Sequence, residues 1–210
     1  MPGLLSAIFG FAAVARNEIR VQASPFAAKS LGRSPWEGGR PYRFDLLAHH
    51  RIECPTVTGA GTGSFEFEAA SGVYTELQCG SYIFTDADYG RNRDRDGGPF
   101  TTFEPSLYVW ATVMSRPAGD RAIVDAGLKA LAFDSGPPLV CDEPAATYER
   151  ASDEHGRLAV FAATNRLALG DMIRLIPGHC DPTVNLYDWY VCIRNRVEQL
   201  WPITARGAVY

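Results

Sequence analysis

The chain has 210 residues, 46% hydrophobic and 21% charged, with a formal net charge of −4. That size suits one good-sized domain, or one domain with part of another, and the composition is that of a globular protein. The lysines are Lys29 and Lys129 alone, and Arg91, Arg93 and Arg95 alternate with Asp94 and Asp96, so no basic patch forms and no nucleic-acid partner is expected.

In chain order, the apolar run Leu4–Ala15 comes first. No Lys or Arg precedes it, and Arg16-Asn17-Glu18 follows where small cleavage-site residues belong, so it is not read as a signal peptide. It is also too short to span a bilayer, and no membrane partner is expected. Residues 1–50 otherwise mix Pro, Gly, Ser and Arg without a sustained period, and read as irregular chain. Cys54, Cys79, Cys141, Cys180 and Cys192 are odd in number and contain no CxxC. A disulfide framework or structural zinc cluster is not expected, and a reducing cytoplasm fits best.

Order resumes at Cys54–Thr58, a short β-type run that enters the glycine-rich loop Thr58–Phe65, "TGAGTGSF". "GVYTELQCGSYIFTD" predicts two strands or a bulged one around Gly80. "SLYVWATVMSRP" is apolar at both sets of alternate positions and predicts a strand buried on both faces. "RAIVDAGLKALAFDSG" predicts a strand, then a short helix over Gly127–Phe133. "GRLAVF", "DMIRLIPGHC", "TVNLYDWYVCIR" and "RVEQLWPIT" complete a series of short strands, the last two joined by a tight hairpin through Asn195. The expected class is mainly β with some α, built on an antiparallel domain.

Two stretches carry chemistry. Glycines let backbone N–H groups approach an anion, and a Thr or Ser hydroxyl can join them, so "TGAGTGSF" could cradle a phosphate. It is neither a P-loop nor GxGxxG, and suits a small cofactor better than a dinucleotide; a plain flexible turn fits equally. In "IPGHCDPTVNLYD", residues two apart on extended backbone share a face, so His179 and Asp181 converge while Cys180 points away. An imidazole nitrogen and a carboxylate oxygen make a two-ligand set for a divalent cation with open positions for water and a substrate hydroxyl. Taken alone, His-x-Asp reads first as a polar turn ahead of Pro182. Cys180 lacks a resolving cysteine and is expected to be a buried filler.

"TVTGAGTGSFEFEAASGVYTELQCGSYIFTDADYGRN", "VDAGLKALAFDSGPPLV", "SDEHGRL" and "IPGHCDPTVNLYDWYVCI" together resemble, from about Ile52 to Tyr210, the metal-activated fold-type III pyridoxal-phosphate enzymes. These are the D-threonine aldolase and D-serine dehydratase-like proteins, and the nearest likeness is to 3-hydroxy-D-aspartate aldolases. The resemblance implies the C-terminal antiparallel β domain of an alanine-racemase-like enzyme plus a remnant of its (β/α) barrel. Residues 51–90 would close the barrel and 91–210 form the β domain. It implies that Thr58, Gly59, Gly61 and Thr62 line the cofactor-phosphate loop, that Tyr82 stands at the cofactor, and that His179 and Asp181 hold the metal. Aspartate at 181, where the dehydratase branch commonly has cysteine, points to Mn²⁺, Mg²⁺ or Co²⁺ rather than Zn²⁺.

The implied function is a pyridoxal 5'-phosphate-dependent lyase cleaving Cα–Cβ of a D-3-hydroxy amino acid, such as 3-hydroxy-D-aspartate or D-threonine, to glycine and an aldehyde or glyoxylate. Relatives would be homodimers. The sequence departs from the family where members attach the cofactor: Lys129 lies in a β-domain motif, and Lys29 lacks the family's basic setting. A truncated gene with an unrelated or frame-shifted start over residues 1–50 is therefore expected, with no turnover from the chain by itself. Phe65, Tyr74 and Phe84 would then lack cover. The alternatives are an inactive β-domain remnant, half of a split protein, or a D-serine dehydratase-like ammonia-lyase. His155, in "SDEHG", is read as an exposed loop residue.

Overall fold

Two kinds of strand pairing divide the molecule. The computed structural model describes residues 21–22, 47–141, 143–161 and 166–208. Leu4–Ala15, Lys29 and nearly all of the segment 1–50 lie outside the described residues. Two compact units form, one from residues up to Ile83 with Tyr89–Phe103, the other from Phe84–Asp88 with Glu104 onward.

The first unit holds three short parallel strands, β1 (Val21–Gln22), β2 (Val57–Gly59) and β3 (Glu76–Leu77), in that spatial order. Parallel neighbours need a crossover, and the β2–β3 crossover carries the helix α1 (Phe65–Ala70). Of the two strands expected in "GVYTELQCGSYIFTD", only β3 forms, and Ser81–Ile83 coil into a 3-10 turn instead. The reason lies in the partner: β2 ends at Gly59, and Ala60 turns away with φ of 65°. Among the described residues, the pairing of β3 with β2 ends at the bond from Gln78 N–H to the Gly59 carbonyl. Phe65, Tyr82 and Phe100 pack their rings around Phe103 at centroid distances of 5.4, 5.4 and 6.1 Å.

The second unit is antiparallel, as its alternating pattern predicts. Strands β4 (Val109–Ala118), β5 (Arg121–Val124), β6 (Leu139–Val140), β7 (Ala146–Ala151), β8 (Gly156–Val160) and β9 (Met172–Ile176) form one sheet in the order β6-β9-β4-β5-β8-β7. Its inward residues make the core: Val109, Ala111 and Val113 from β4, Ala122 and Val124 from β5, Leu158 and Val160 from β8, Ile173 and Leu175 from β9, with Tyr148 and Leu131. The expectation that β4 is buried on both faces is corrected, because Trp110 and Met114 are each 51% exposed. Only one face is covered, and the other meets water, as antiparallel sheets permit.

The helix expected over Gly127–Phe133 is also replaced, by a turn in which the Gly127 carbonyl accepts from Ala130 and Leu131 N–H. Leu128 and Lys129 N–H are taken instead by the Ser152 and Asp153 carbonyls of a neighbouring loop, and Asp134-Ser135-Gly136 turns the chain before another helical bond closes. The last two strands, β10 (Trp189–Arg194) and β11 (Arg196–Pro202), form a hairpin through Asn195, whose φ of 61° suits a tight turn. Phe65, Tyr74 and Phe84, expected to lack cover, are half-buried; among the large apolar residues left exposed, Trp189, Val191, Ile193, Val197, Leu200 and Trp201 lie on this hairpin.

Candidate functional site

In the first unit, β2 delivers the chain into the glycine-rich loop with its backbone buried. Thr58 is buried and its hydroxyl donates to Glu76 Oε1 across the ladder at 3.3 Å. A Cβ on Gly59 would sit 2.6 Å from Tyr74 Cε1, so the bare backbone there is what lets the ring close over β2. Ser64 N–H bonds the Gly61 carbonyl at 3.2 Å, closing a turn that opens into α1.

Inside that turn Thr62 is only 1% exposed, and its Oγ1 has no hydrogen-bond partner among the described residues. Glu68 Oε2 and Asn92 Nδ2 are in the same condition. Burial raises the Glu68 carboxyl above its ordinary range, against a lowering hydrogen bond from Ser64. A buried hydroxyl with unmet bonding capacity, beside Gly61, fits the phosphate end of a cofactor. Tyr82, further along on the 3-10 turn, packs on Phe103 and is about half exposed.

In the second unit, β9 ends at Pro177-Gly178. His179 is extended (φ −142°, ψ 123°) and caps the short helix α2 (Cys180–Val184). The extended backbone assumed through Asp181 is therefore corrected: His179 precedes the helix and Asp181 sits in its first turn. The side chains converge all the same, with His179 Nε2 at 3.6 Å from Asp181 Oδ2. Cys180 is fully buried, as expected of a filler. It is not turned away from Asp181, however, since its thiol donates to Asp181 Oδ1 at 3.4 Å. Desolvation first, then Asp181 and Asp86, push that thiol far above its ordinary range. Its N–H is held by the buried Asp86 carboxylate at 2.8 Å, which fixes the start of α2.

Asp134, on the turn after Leu131, stands on the other side of the imidazole, with Oδ2 at 2.5 Å from His179 Nδ1. Sequence reasoning missed it, because it lies 45 residues upstream in a stretch that signals only a turn. Among the described residues no group of three or more His, Cys, Asp or Glu is arranged to hold a metal ion. A cation at His179 would thus have two protein ligands, Nε2 and Asp181 Oδ2, and open positions beyond them. The donor set fits a divalent cation: one nitrogen and one carboxylate oxygen, close enough to share an ion, and a ring whose far nitrogen is held. Lys129 lies on the surface, with Nζ at 2.5 Å from Glu154 Oε1. His155 contributes its carbonyl to Ser152 in the same exposed loop.

Residues 106–193 match the family profile described as "Putative serine dehydratase domain". That stretch of the chain is similar to this family. The matched stretch includes Asp134, His179 and Asp181, and leaves the glycine-rich loop outside. A D-threonine aldolase of Arthrobacter sp is 53% identical over 163 residues, 77% of this chain and 42% of that protein. A 3-hydroxy-D-aspartate aldolase of Paracoccus denitrificans (strain Pd 1222) is 50% identical over 169 residues, 79% of this chain and 43% of that protein. Among solved structures, D-threonine aldolase from Filomicrobium marinum superposes with a TM-score of 0.71 at 47% identity, covering 79% of this chain and 44% of that one. The chain spans less than half the length of these relatives. No helix among the described residues is long and apolar enough to cross a membrane.

Proposed function

We propose that the chain is part of a pyridoxal 5'-phosphate- and divalent-metal-dependent lyase that cleaves Cα–Cβ of a D-3-hydroxy amino acid, releasing glycine and an aldehyde. With 3-hydroxy-D-aspartate the second product is glyoxylate. The observation that carries this reading is the pair His179 Nε2 and Asp181 Oδ2, 3.6 Å apart on the start of α2. It is supported by relatives named as aldolases at about half identity.

His179 and Asp181 would hold the cation, here a hard one such as Mn²⁺, Mg²⁺ or Co²⁺ given the oxygen ligand. A bound cation supplies Lewis acidity to the substrate's β-hydroxyl, and the cofactor supplies an electron sink at Cα. Thr62, with Gly59 and Gly61, would receive the cofactor's phosphate, and Thr58 holds β2 against β3 beside it. Tyr82 would stand at the cofactor. Cys180 keeps its proton and orients Asp181 by occupying Oδ1, which leaves Oδ2 for the ion.

Titration of the metal-free chain with Mn²⁺, followed by calorimetry, tests the ligand pair. His179→Ala and Asp181→Ala should each abolish tight uptake, and an Asp181→Ala chain that binds Mn²⁺ like the wild type would refute the assignment. A second reading, a catalytically silent β domain or one half of a split protein, is favoured by the place of Lys129, exposed on the turn after β5 and outside the glycine-rich loop's unit. Pyridoxal phosphate added to the purified chain separates the two: a visible aldimine absorbance that borohydride bleaches while fixing the cofactor to the protein supports the lyase, and its absence supports the silent domain. The family profile by itself favours a D-serine dehydratase-like ammonia-lyase, which release of ammonia in place of glycine would identify.

A further inference from the structure

We infer that Asp134 is a positioning residue that fixes the tautomer of His179 and so presents Nε2, with its lone pair, to the cation beside Asp181; the inference rests on the metal reading above. An ionised carboxylate can only accept a hydrogen bond. With Asp134 Oδ2 at 2.5 Å, Nδ1 is the nitrogen placed to donate, so the neutral tautomer that this contact selects has its lone pair on Nε2. That nitrogen is the one facing Asp181 Oδ2 at 3.6 Å. Two carboxylates thus flank one imidazole with different tasks, one acting through the ring and one sharing its ligand position.

The surroundings hold Asp134 in this place. Thr183, 1% exposed, donates its hydroxyl to the His179 carbonyl at 2.7 Å and accepts from Ala132 N–H at 3.1 Å, so the turn carrying Asp134 is fastened to α2. A second fastening lies two residues beyond: a Cβ on Gly178 would fall 2.0 Å from the Gly136 carbonyl oxygen, so the two backbones lie in contact. Gly136 itself has φ of 102° and bonds back to the Phe133 carbonyl. Asp134 is therefore carried on a turn tied to the ligand-bearing segment on both sides, while its own side chain is about half exposed and bears no core packing.

Residues that orient a ligating histidine are worth about 10- to 100-fold in metal affinity. Asp134→Ala in the full chain should weaken Mn²⁺ binding by that factor, and Asp134→Asn, which keeps a carbonyl acceptor at the same place, should recover part of it. Nitrogen-15 spectra of the metal-free chain in mildly alkaline buffer should show His179 protonated at Nδ1 in the wild type and a mixture of tautomers in Asp134→Ala. A purely structural role for Asp134 would not move that signature. Unchanged Mn²⁺ affinity in both variants, or a wild-type ring protonated at Nε2, overturns the inference while leaving the ligand pair standing. Equally weak uptake by the wild type and His179→Ala overturns both.

Discussion

The sheet β4–β9 and the hairpin β10–β11 are both antiparallel and both alternate, yet they use their apolar residues in opposite ways. In the sheet the inward positions are mostly modest in size, Val109, Ala111, Val113, Ala122 and Val124, and all are buried. The larger Trp110, Met114 and Met172 face out. On the hairpin Trp189, Val191 and Ile193 stand opposite Pro202, Leu200 and Val197, and every one of these is exposed. The difference teaches that alternation specifies a face but not its cover. Apolar area stabilises a fold only when it leaves water, so the sheet's small residues do more for this chain than the hairpin's large ones.

The sharpest way to break that comparison is in the core beneath the sheet. Leu158 has no exposed surface and packs within the core cluster. Leu158→Ala should lower unfolding stability by about 2–5 kcal/mol, from lost burial and the cavity left behind. Urea denaturation followed by far-ultraviolet circular dichroism measures it, and a loss under about 1 kcal/mol would mean the core is not close-packed at this point.

A smaller effect isolates polar satisfaction in the same core. Tyr148 is 2% exposed and donates its hydroxyl to the Ala126 carbonyl at 2.6 Å. Burial pushes its ionisation up to about 12. The folded state thus holds this proton more tightly than the unfolded chain, whose tyrosine titrates near about 10. The contribution is complete below the unfolded value and disappears as pH rises from there through about 12. Urea midpoints of the wild type should fall over that window, and those of Tyr148→Phe should fall less steeply. At neutral pH the variant should cost about 1 kcal/mol, because the Ala126 carbonyl loses its donor.

These contrasts also mark how far the sequence could be read. Strand alternation was visible because its period is local, and so was the Asn195 hairpin, whose turn chemistry sits between two apolar runs. The one-sided burial of β4 was not visible, since Trp110 and Met114 are as apolar as their neighbours and only the tertiary cover separates them. At the candidate site, His179 and Asp181 were nominated by spacing, but on the wrong backbone. Asp181-Pro182 reads as a turn, whereas proline is tolerated in the first turn of a helix, where α2 places it. Asp134 could not be found by any short pattern, because its link to His179 is made by folding across 45 residues. The orphaned Thr62 hydroxyl was likewise invisible, although its glycine-rich setting pointed to the same loop.

The smallest expected effect lies on the hairpin itself. Leu200 is 58% exposed and stands opposite Val191, which is 54% exposed. The pair shields some area across the ladder, worth a few tenths of a kcal/mol for cross-strand apolar contacts. Most of each side chain stays in water, folded or unfolded, so the transfer contribution is slight. Leu200→Ser should therefore change the urea midpoint by no more than about 0.5 kcal/mol in stability. If it cost as much as Leu158→Ala, the face would have to be buried in the chain as it exists in solution. An independent readout distinguishes the source of such burial: a concentration-dependent midpoint indicates cover by a second copy, and a concentration-independent one indicates cover from within the same chain.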